Sequence, residues 1–529
     1  FDSVDSDTQL TAGAGPVAIT APGSAGARIT GTVSSDGLDT TPIDANVQNV
    51  DAGDLVTFAI VVENTGRAPD GAFDVTITDT LPAGITVPGG GLTLSVTDGT
   101  GAAVAVESPG TADTDLFAGG ITLVDGAQGA IAAFDETAGD NIIIVTYDLQ
   151  VEDTVTASQS ITNTAAVTEY TALEGSPVNH VPPGGLSDNA TATTETPSID
   201  KSRGTKQIDE GGVNEVIVGE DFSYIIDVEL LEGTFDNAII SDSVITGGLE
   251  FVGGEIIGWQ SNLTSSNNLG IGPGLNPFGT VNGDGDVVFD FGTLTVPADN
   301  DEANDTIQIR IDARTPDGLG GVGGQLLTNE AEFAWNGGQV DDRVFDRLTE
   351  PNMSMVKSAT PATVTAGGLV NYSVDIDNIA GSNDAPAFDL RMTDTLDANV
   401  TLDNSSIQIL QNGTDVTGNP GFTFNILGPN SFEVLVDRME EGDEILVTYD
   451  ATVVTGELAG VTIPNTADLT FDSTPGEDTS IGDGVGDDSD DRDYSLSAPA
   501  EVTAAPPGLD KDGFDTALDD TAGTDLAIG

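Results

Sequence analysis

The side chains best suited to chemistry are acids. In the stretch NGDGDVVFD, Asn282, Asp284 and Asp286 alternate with glycines. PADNDEAND gathers Asp299, Asp301 and Asp305 around Glu302, and GVGDDSDDRD gathers Asp487, Asp488, Asp490, Asp491 and Asp493. Hard cations take about six to eight oxygen ligands, and Asp-rich loops with tight Gly turns supply them. These loops are the candidate calcium sites, and calcium is the one cofactor to expect. None of them completes a full calcium loop with its terminal Glu, and a chain this acidic generates Asp clusters by composition alone. Covalent catalysis finds little support. There is no cysteine, so thiol chemistry, disulfides and thiolate metal sites are excluded. The single histidine, His180, sits in a Pro-rich stretch, and no serine or acid pair has a nucleophile-elbow or paired-acid setting. An enzyme is not expected.

The elements that must position these residues are strands. The 529 residues are 38% hydrophobic but only 5% aromatic, so the cores are aliphatic. With 66 Gly and 25 Pro spread throughout, long helices are not expected, and no sustained 3.6-residue apolar period occurs. No apolar run is long enough to span a bilayer, and FDSVDSDTQL lacks the basic and apolar regions of a signal peptide. Eighty-eight acids against fourteen bases give a net charge of −74. That field repels nucleic acid and anionic membrane and calls for screening by salt or divalent cations. A saline or a calcium-rich extracellular medium fits.

Period-two alternation recurs along the chain. In EDFSYIIDVEL, Phe222, Tyr224, Ile226, Val228 and Leu230 share a face, and in DTIQIRIDAR so do Ile307, Ile309 and Ile311. One-faced strands between Gly, Asn and Asp turns predict antiparallel sheets packed face to face. The pattern also repeats. DAGDLVTFAIVVENTG, IVGEDFSYIIDVEL and TAGGLVNYSVDIDN share a Gly turn followed by a strand. Each is followed by a matching second element (AFDVTITDTLPAGI, TFDNAIISDSVITGGL, AFDLRMTDTLDANV). A strand pair then closes each copy (IIIVTYDLQV with ITNTAAVTEY, TIQIRIDART with LTNEAEFAW, EILVTYDATV with IPNTADLTF). Gly53, Gly219 and Gly367 anchor the copies at a spacing normal for a domain. Pro-rich stretches, expected to be extended and stiff connectors, set the divisions. Residues 1–26 read as the tail of a preceding domain, 27–196, 197–348 and 349–506 as β-sandwich repeats, and 507–529 as a further leading or donor strand.

VTFAIVVENTG, VTITDTLPAGIT and ITNTAAVT together resemble the bacterial and archaeal surface-protein repeat family known as domain of unknown function eleven. They are also similar to the isopeptide-forming domains of fimbrial shaft proteins. The resemblance covers all three copies, the middle one departing most with ISDSVITGG in place of TDTLPAG. It implies all-β, tandem immunoglobulin-like antiparallel β-sandwich domains in a linear array on an extracellular or cell-surface protein. It also implies a specific chemistry. Fimbrial relatives carry a lysine on the first strand, an asparagine on the last and an acid between. The matching residues are Lys201, Asp242 and Asn329 in the second copy and Lys357, Asp394 and Asn465 in the third. In an apolar core the charged forms of Lys and Asp are disfavoured, so a neutral amine can attack an amide polarised by a protonated acid. The first copy has Asp79 and Asn163 but no lysine, with Arg28 in the nearest strand, ARITGTV, so it cannot make the bond.

The function expected from these features is a structural subunit or stalk segment of an extracellular filament, surface layer or matrix. The partners are copies of itself in a head-to-tail homopolymer, with C-terminal strand donation one route. Neither nucleic acid nor a membrane span is expected. The alternative is a cell-surface adhesin for a glycan or protein ligand, which requires an exposed aromatic cluster. Only Trp259 in GWQSN and Trp335, at a strand end and better suited to a core, offer themselves. Lys511, in GLDKDGFD, occupies the position of Lys201 and Lys357 in a further leading strand, so residues 508–529 are expected to pair with a domain outside the chain's own three.

Overall fold

The computed structural model describes residues 9–10, 31–40, 46–107, 112–206, 208, 214–260, 262–299, 304–316, 323–456, 458–476 and 492–505. Strands dominate, and the helices among the described residues, Ser35–Thr40 and Ala112–Ala118, are short. Alternation translates directly into burial: along Thr306–Arg314 every second residue is inside, with Ile307, Ile309 and Ile311 fully covered.

Among the described residues, six sheets form three face-to-face pairs. In the first pair, strand β1 (Leu55–Glu63) joins β3 (Ile142–Val151), and β2 (Phe73–Thr80) lies beside β4 (Ser160–Thr171) in the opposing sheet. The second pair opens with β5 (Ser198–Lys206), an edge strand on β6 (Asp221–Glu229), which pairs in turn with β8 (Thr306–Arg314). Opposite them, β7 (Gly233–Asp242) pairs with β9 (Leu326–Trp335), and β9 with the long β10 (Gly338–Pro351). The third pair repeats this plan. There β11 (Met353–Thr360) sits at the edge of β12 (Leu369–Asn378), and β12 pairs with β14 (Glu444–Val453). Opposite, β13 (Ala387–Thr395) pairs with β15 (Thr462–Asp472). These are tandem all-β sandwiches with immunoglobulin-like packing.

Each sandwich has its own core between the inner faces. Burying one of these Ile, Val or Phe side chains contributes roughly 1.5–3 kcal/mol. The scarce aromatics concentrate inside, with Tyr147, Tyr224, Tyr372 and Tyr449 fully buried. The Pro-rich stretches read as connectors are built into sheets. Leu186–Thr194 pairs with β4, and β10 contains FDRLTEP and continues into a parallel bridge with Asp384–Ala385 of the third sandwich. Ile208, Ile217, Ala385 and Phe388 add a small apolar cluster at that junction. Each sheet edge gains partners by taking up these segments, which outweighs their low strand propensity.

Candidate functional site

Three strands of the second sandwich converge on one buried carboxyl. Lys201 lies opposite Ile226, which directs its side chain inward from the edge strand. Its Nζ forms an ion pair with Asp242 at the end of β7, and both side chains are completely inaccessible. Asn329 on β9 lies against the same carboxyl, and the Val244 amide donates to Asp242 Oδ1 at 3.0 Å. The third sandwich builds the same arrangement. Lys357 lies opposite Val374, its Nζ is 2.5 Å from Asp394 Oδ2, and both side chains are again inaccessible. Tyr449 Oη donates to Asp394 Oδ2 at 2.5 Å, and Asn465 Nδ2 donates to Tyr449 Oη at 2.8 Å.

Register explains why these residues meet. Asp242 pairs with Ala331 and Asp394 with Ala467. In both cases the asparagine stands two residues earlier, on the same face. The recurring Asn-x-Ala therefore places the amide beside the acid, and the alanine leaves room between the sheets. The first sandwich keeps this geometry, with Asp79 paired to Ala165 and Asn163 two residues before it. There Asn163 Nδ2 donates to Asp79 Oδ2 at 3.1 Å and to Tyr147 Oη at 2.9 Å, and Tyr147 donates to Asp79. No lysine reaches it among the described residues.

Burial works against the charged forms. Desolvation pushes the carboxyls of Asp242 and Asp394 up, outweighing the neighbouring lysine and asparagine, which pull them down. Desolvation pushes the Lys201 and Lys357 amines down against the opposing pull of their acids. Both shifts run toward the protonated carboxyl and neutral amine that attack on an amide requires. Burial also pushes Asp79 up. The tyrosines were missed by the sequence reading, although VTYD recurs at Tyr147 and Tyr449. They wall the site: Lys201 Nζ is 4.9 Å from the Tyr224 ring, and Lys357 Nζ is 5.5 Å from Tyr372 and 5.8 Å from Tyr449. Burial pushes the Tyr372 phenol up to about 12, and those of Tyr224 and Tyr449 higher still, which keeps all three protonated.

The acidic loops are arranged differently. Asn282 Oδ1 accepts from the amides of Asp284 and Asp286, closing a turn with its own backbone. Asp299 accepts from the side chains of Asn262 and Asn304, and Asp305 is buried. Asp301, Asp487, Asp488, Asp490 and Asp491 lie outside the described residues, as do Arg28 and Lys511. Among the described residues no three His, Asp or Glu side chains group as a metal site. Trp335 packs in the core, while Trp259 is half-buried and stacks on Phe291 at 5.9 Å. His180 is exposed, its ring 6.0 Å from that of Tyr170. No helix among the described residues is long and apolar enough to cross a membrane.

No protein-family model matches the chain, and no curated protein matches it. Among solved structures, the C-terminal domain of the Streptococcus agalactiae AgI/II polypeptide BspA aligns at 10% identity and a TM-score of 0.32, over 58% of this chain and all of that one. BcpA, the major pilin subunit of Bacillus cereus, aligns at 13% identity and a TM-score of 0.24, over 51% of this chain and 65% of its own. The T6 backbone pilin of serotype M6 Streptococcus pyogenes aligns at 12% identity and a TM-score of 0.24, over 51% and 62% respectively. Similarity at this level does not extend to individual side chains.

Proposed function

We propose that this chain is a structural segment of an extracellular filament, surface layer or matrix, and that its second and third sandwiches lock themselves with Lys201–Asn329 and Lys357–Asn465 isopeptide bonds. The observation that carries this reading is the burial of a lysine, an acid and an asparagine together, at the same register, in two sandwiches. A buried ion pair is weak support for stability, so its repetition points to chemistry. Asp242 or Asp394 takes a proton from the lysine amine and, as an acid, polarises the asparagine carbonyl. Nζ attacks Cγ to give a tetrahedral intermediate. The acid then passes its proton to Nδ2, the Cγ–Nδ2 bond breaks and ammonia leaves, and the carboxylate takes the remaining extra proton from Nζ as the amide forms. Each bond ties the first strand of a sandwich to one of its last, so tension along the chain passes through a covalent link. The surface charge and the likeness of the repeats to domain of unknown function eleven suit a cell-surface setting.

The intact mass of the full chain should fall short of the sequence mass by two ammonias. K201A and K357A should each restore one, and D242A and D394A should do the same with the lysine still present. A full sequence mass would sink the proposal.

A further inference from the structure

Tyr449 bridges the acid and the amide of the third sandwich. Its Oη donates to Asp394 Oδ2 at 2.5 Å and accepts from Asn465 Nδ2 at 2.8 Å, so one hydroxyl joins the acid to the nitrogen that must leave. A phenol serves as donor and acceptor at once. The first sandwich makes the same link through Tyr147, which donates to Asp79 and accepts from Asn163 Nδ2 at 2.9 Å, although no lysine reaches it among the described residues. The link therefore needs only the tyrosine, the acid and the asparagine.

The second sandwich is built without it. Tyr449 lies opposite Tyr372 and Tyr147 opposite Phe58, whereas the same position opposite Tyr224 holds Ile311. Tyr224 itself donates to Asp346, at 2.5 Å. Asn329 Nδ2, buried against the Asp242 carboxyl, has no hydrogen-bond partner among the described residues. The two lysine-bearing sites thus share the amine, the acid and the amide, and differ at the leaving nitrogen.

From this difference we infer that Tyr449 is a catalytic residue of the third sandwich, relaying the proton of Asp394 to the departing nitrogen of Asn465, while Asp242 in the second sandwich makes that transfer directly. The inference rests on the isopeptide chemistry proposed for Lys357 and Asn465. Resonance ties up the lone pair of an amide nitrogen, so Nδ2 can only donate to Tyr449 in the resting site. Once Nζ has added to Cγ, that resonance is lost and Nδ2 becomes a base. The Tyr449 hydroxyl proton then moves to Nδ2 as Oη takes the proton of Asp394, the Cγ–Nδ2 bond breaks, and ammonia leaves. Asp394, now a carboxylate, takes the extra proton from Nζ, and the tyrosine ends as it began. Burial pushes the Tyr449 phenol up, so the two transfers are coupled and no phenolate accumulates.

The test follows the full chain through cell-free synthesis, with timed samples quenched, digested and weighed for the Lys201–Asn329 and Lys357–Asn465 cross-linked peptides. Y449F keeps the ring that stacks on Tyr372 at 5.3 Å and meets Phe432 edge-on at 4.9 Å. It should form the Lys357–Asn465 bond on the order of 100-fold more slowly and the Lys201–Asn329 bond at the parent rate. Y372F is the control for packing, because the buried Tyr372 Oη has no hydrogen-bond partner among the described residues; it should leave both rates unchanged. A second measurement needs no variant: in heavy water the parent's Lys357–Asn465 bond, with two protons in flight, should slow more than its Lys201–Asn329 bond. Parent-rate closure in Y449F, equal slowing by Y372F, slowing of both bonds by Y449F, or equal slowing of both bonds in heavy water would each overturn the relay while leaving the cross-links standing. A parent that forms neither cross-link would remove the relay and the proposed chemistry together.

Discussion

At Asp394 the balance of forces can be read one group at a time. Burial pushes the carboxyl up, and Lys357, Tyr449 and Asn465 pull it back. Replacing Lys357 by Met removes the largest of those opposing contributions and leaves the acid buried. Breaking one side of a buried pair costs about 3–5 kcal/mol, so K357M should melt lower than the parent. A carboxyl raised above its unfolded value contributes stability that is fully present below the unfolded pKa and is lost as pH rises through the folded one. The K357M melting temperature should therefore rise on acidification from neutral toward about pH 4. K357M/D394N should lose that component, since the amide does not titrate. A thermal melt series of both variants checks the difference, and equal slopes would contradict it.

At the scale of elements, the site is a product of strand register. The acid strand and the asparagine strand pair so that Asn-x-Ala brings the amide to the acid, and Ala331 and Ala467 are completely buried there. Ala467→Leu should overpack this gap at a cost of about 1–3 kcal/mol and hold the sheets apart. The measurable result is a third sandwich that keeps its ammonia, beside a second that still loses its own. A normal mass deficit in this variant would show that the alanine is not what sets the spacing. The edge strands matter as much. Lys201 is delivered by a strand that also anchors through its backbone, the Lys201 amide donating to Asp342 at 2.7 Å, and through Arg203 to Asp346 at 2.5 Å.

For the whole molecule, a charge of −74 on 529 residues works against compactness through self-repulsion. Raising ionic strength from 0.01 to 1 M shortens the Debye length from about 30 to about 3 Å, so sodium chloride should raise the melting temperature substantially. A flat response in a salt titration would mean that the charges are already screened by bound cations, and adding a chelator would then test the candidate calcium loops. With the proposed cross-links in place, the second and third sandwiches should stay folded under force while the first extends. In K201A/K357A all three should extend, which single-molecule pulling reads directly.

The sequence by itself determined the strands and their threefold repetition, while the two lysine, acid and asparagine sets came from the resemblance to fimbrial domains. Alternation is a local property, and Gly anchors mark each copy without reference to its neighbours. The connectors were not legible, because whether FDRLTEP or LSDNATATT pairs depends on which sheet edge is vacant nearby. The buried tyrosines were not legible either: a Tyr in an alternating strand reads as core, and only facing sheets bring Tyr449 to Asp394. Tertiary structure decided which polar side chains share one dry carboxyl, because that depends on the register between strands far apart in the chain.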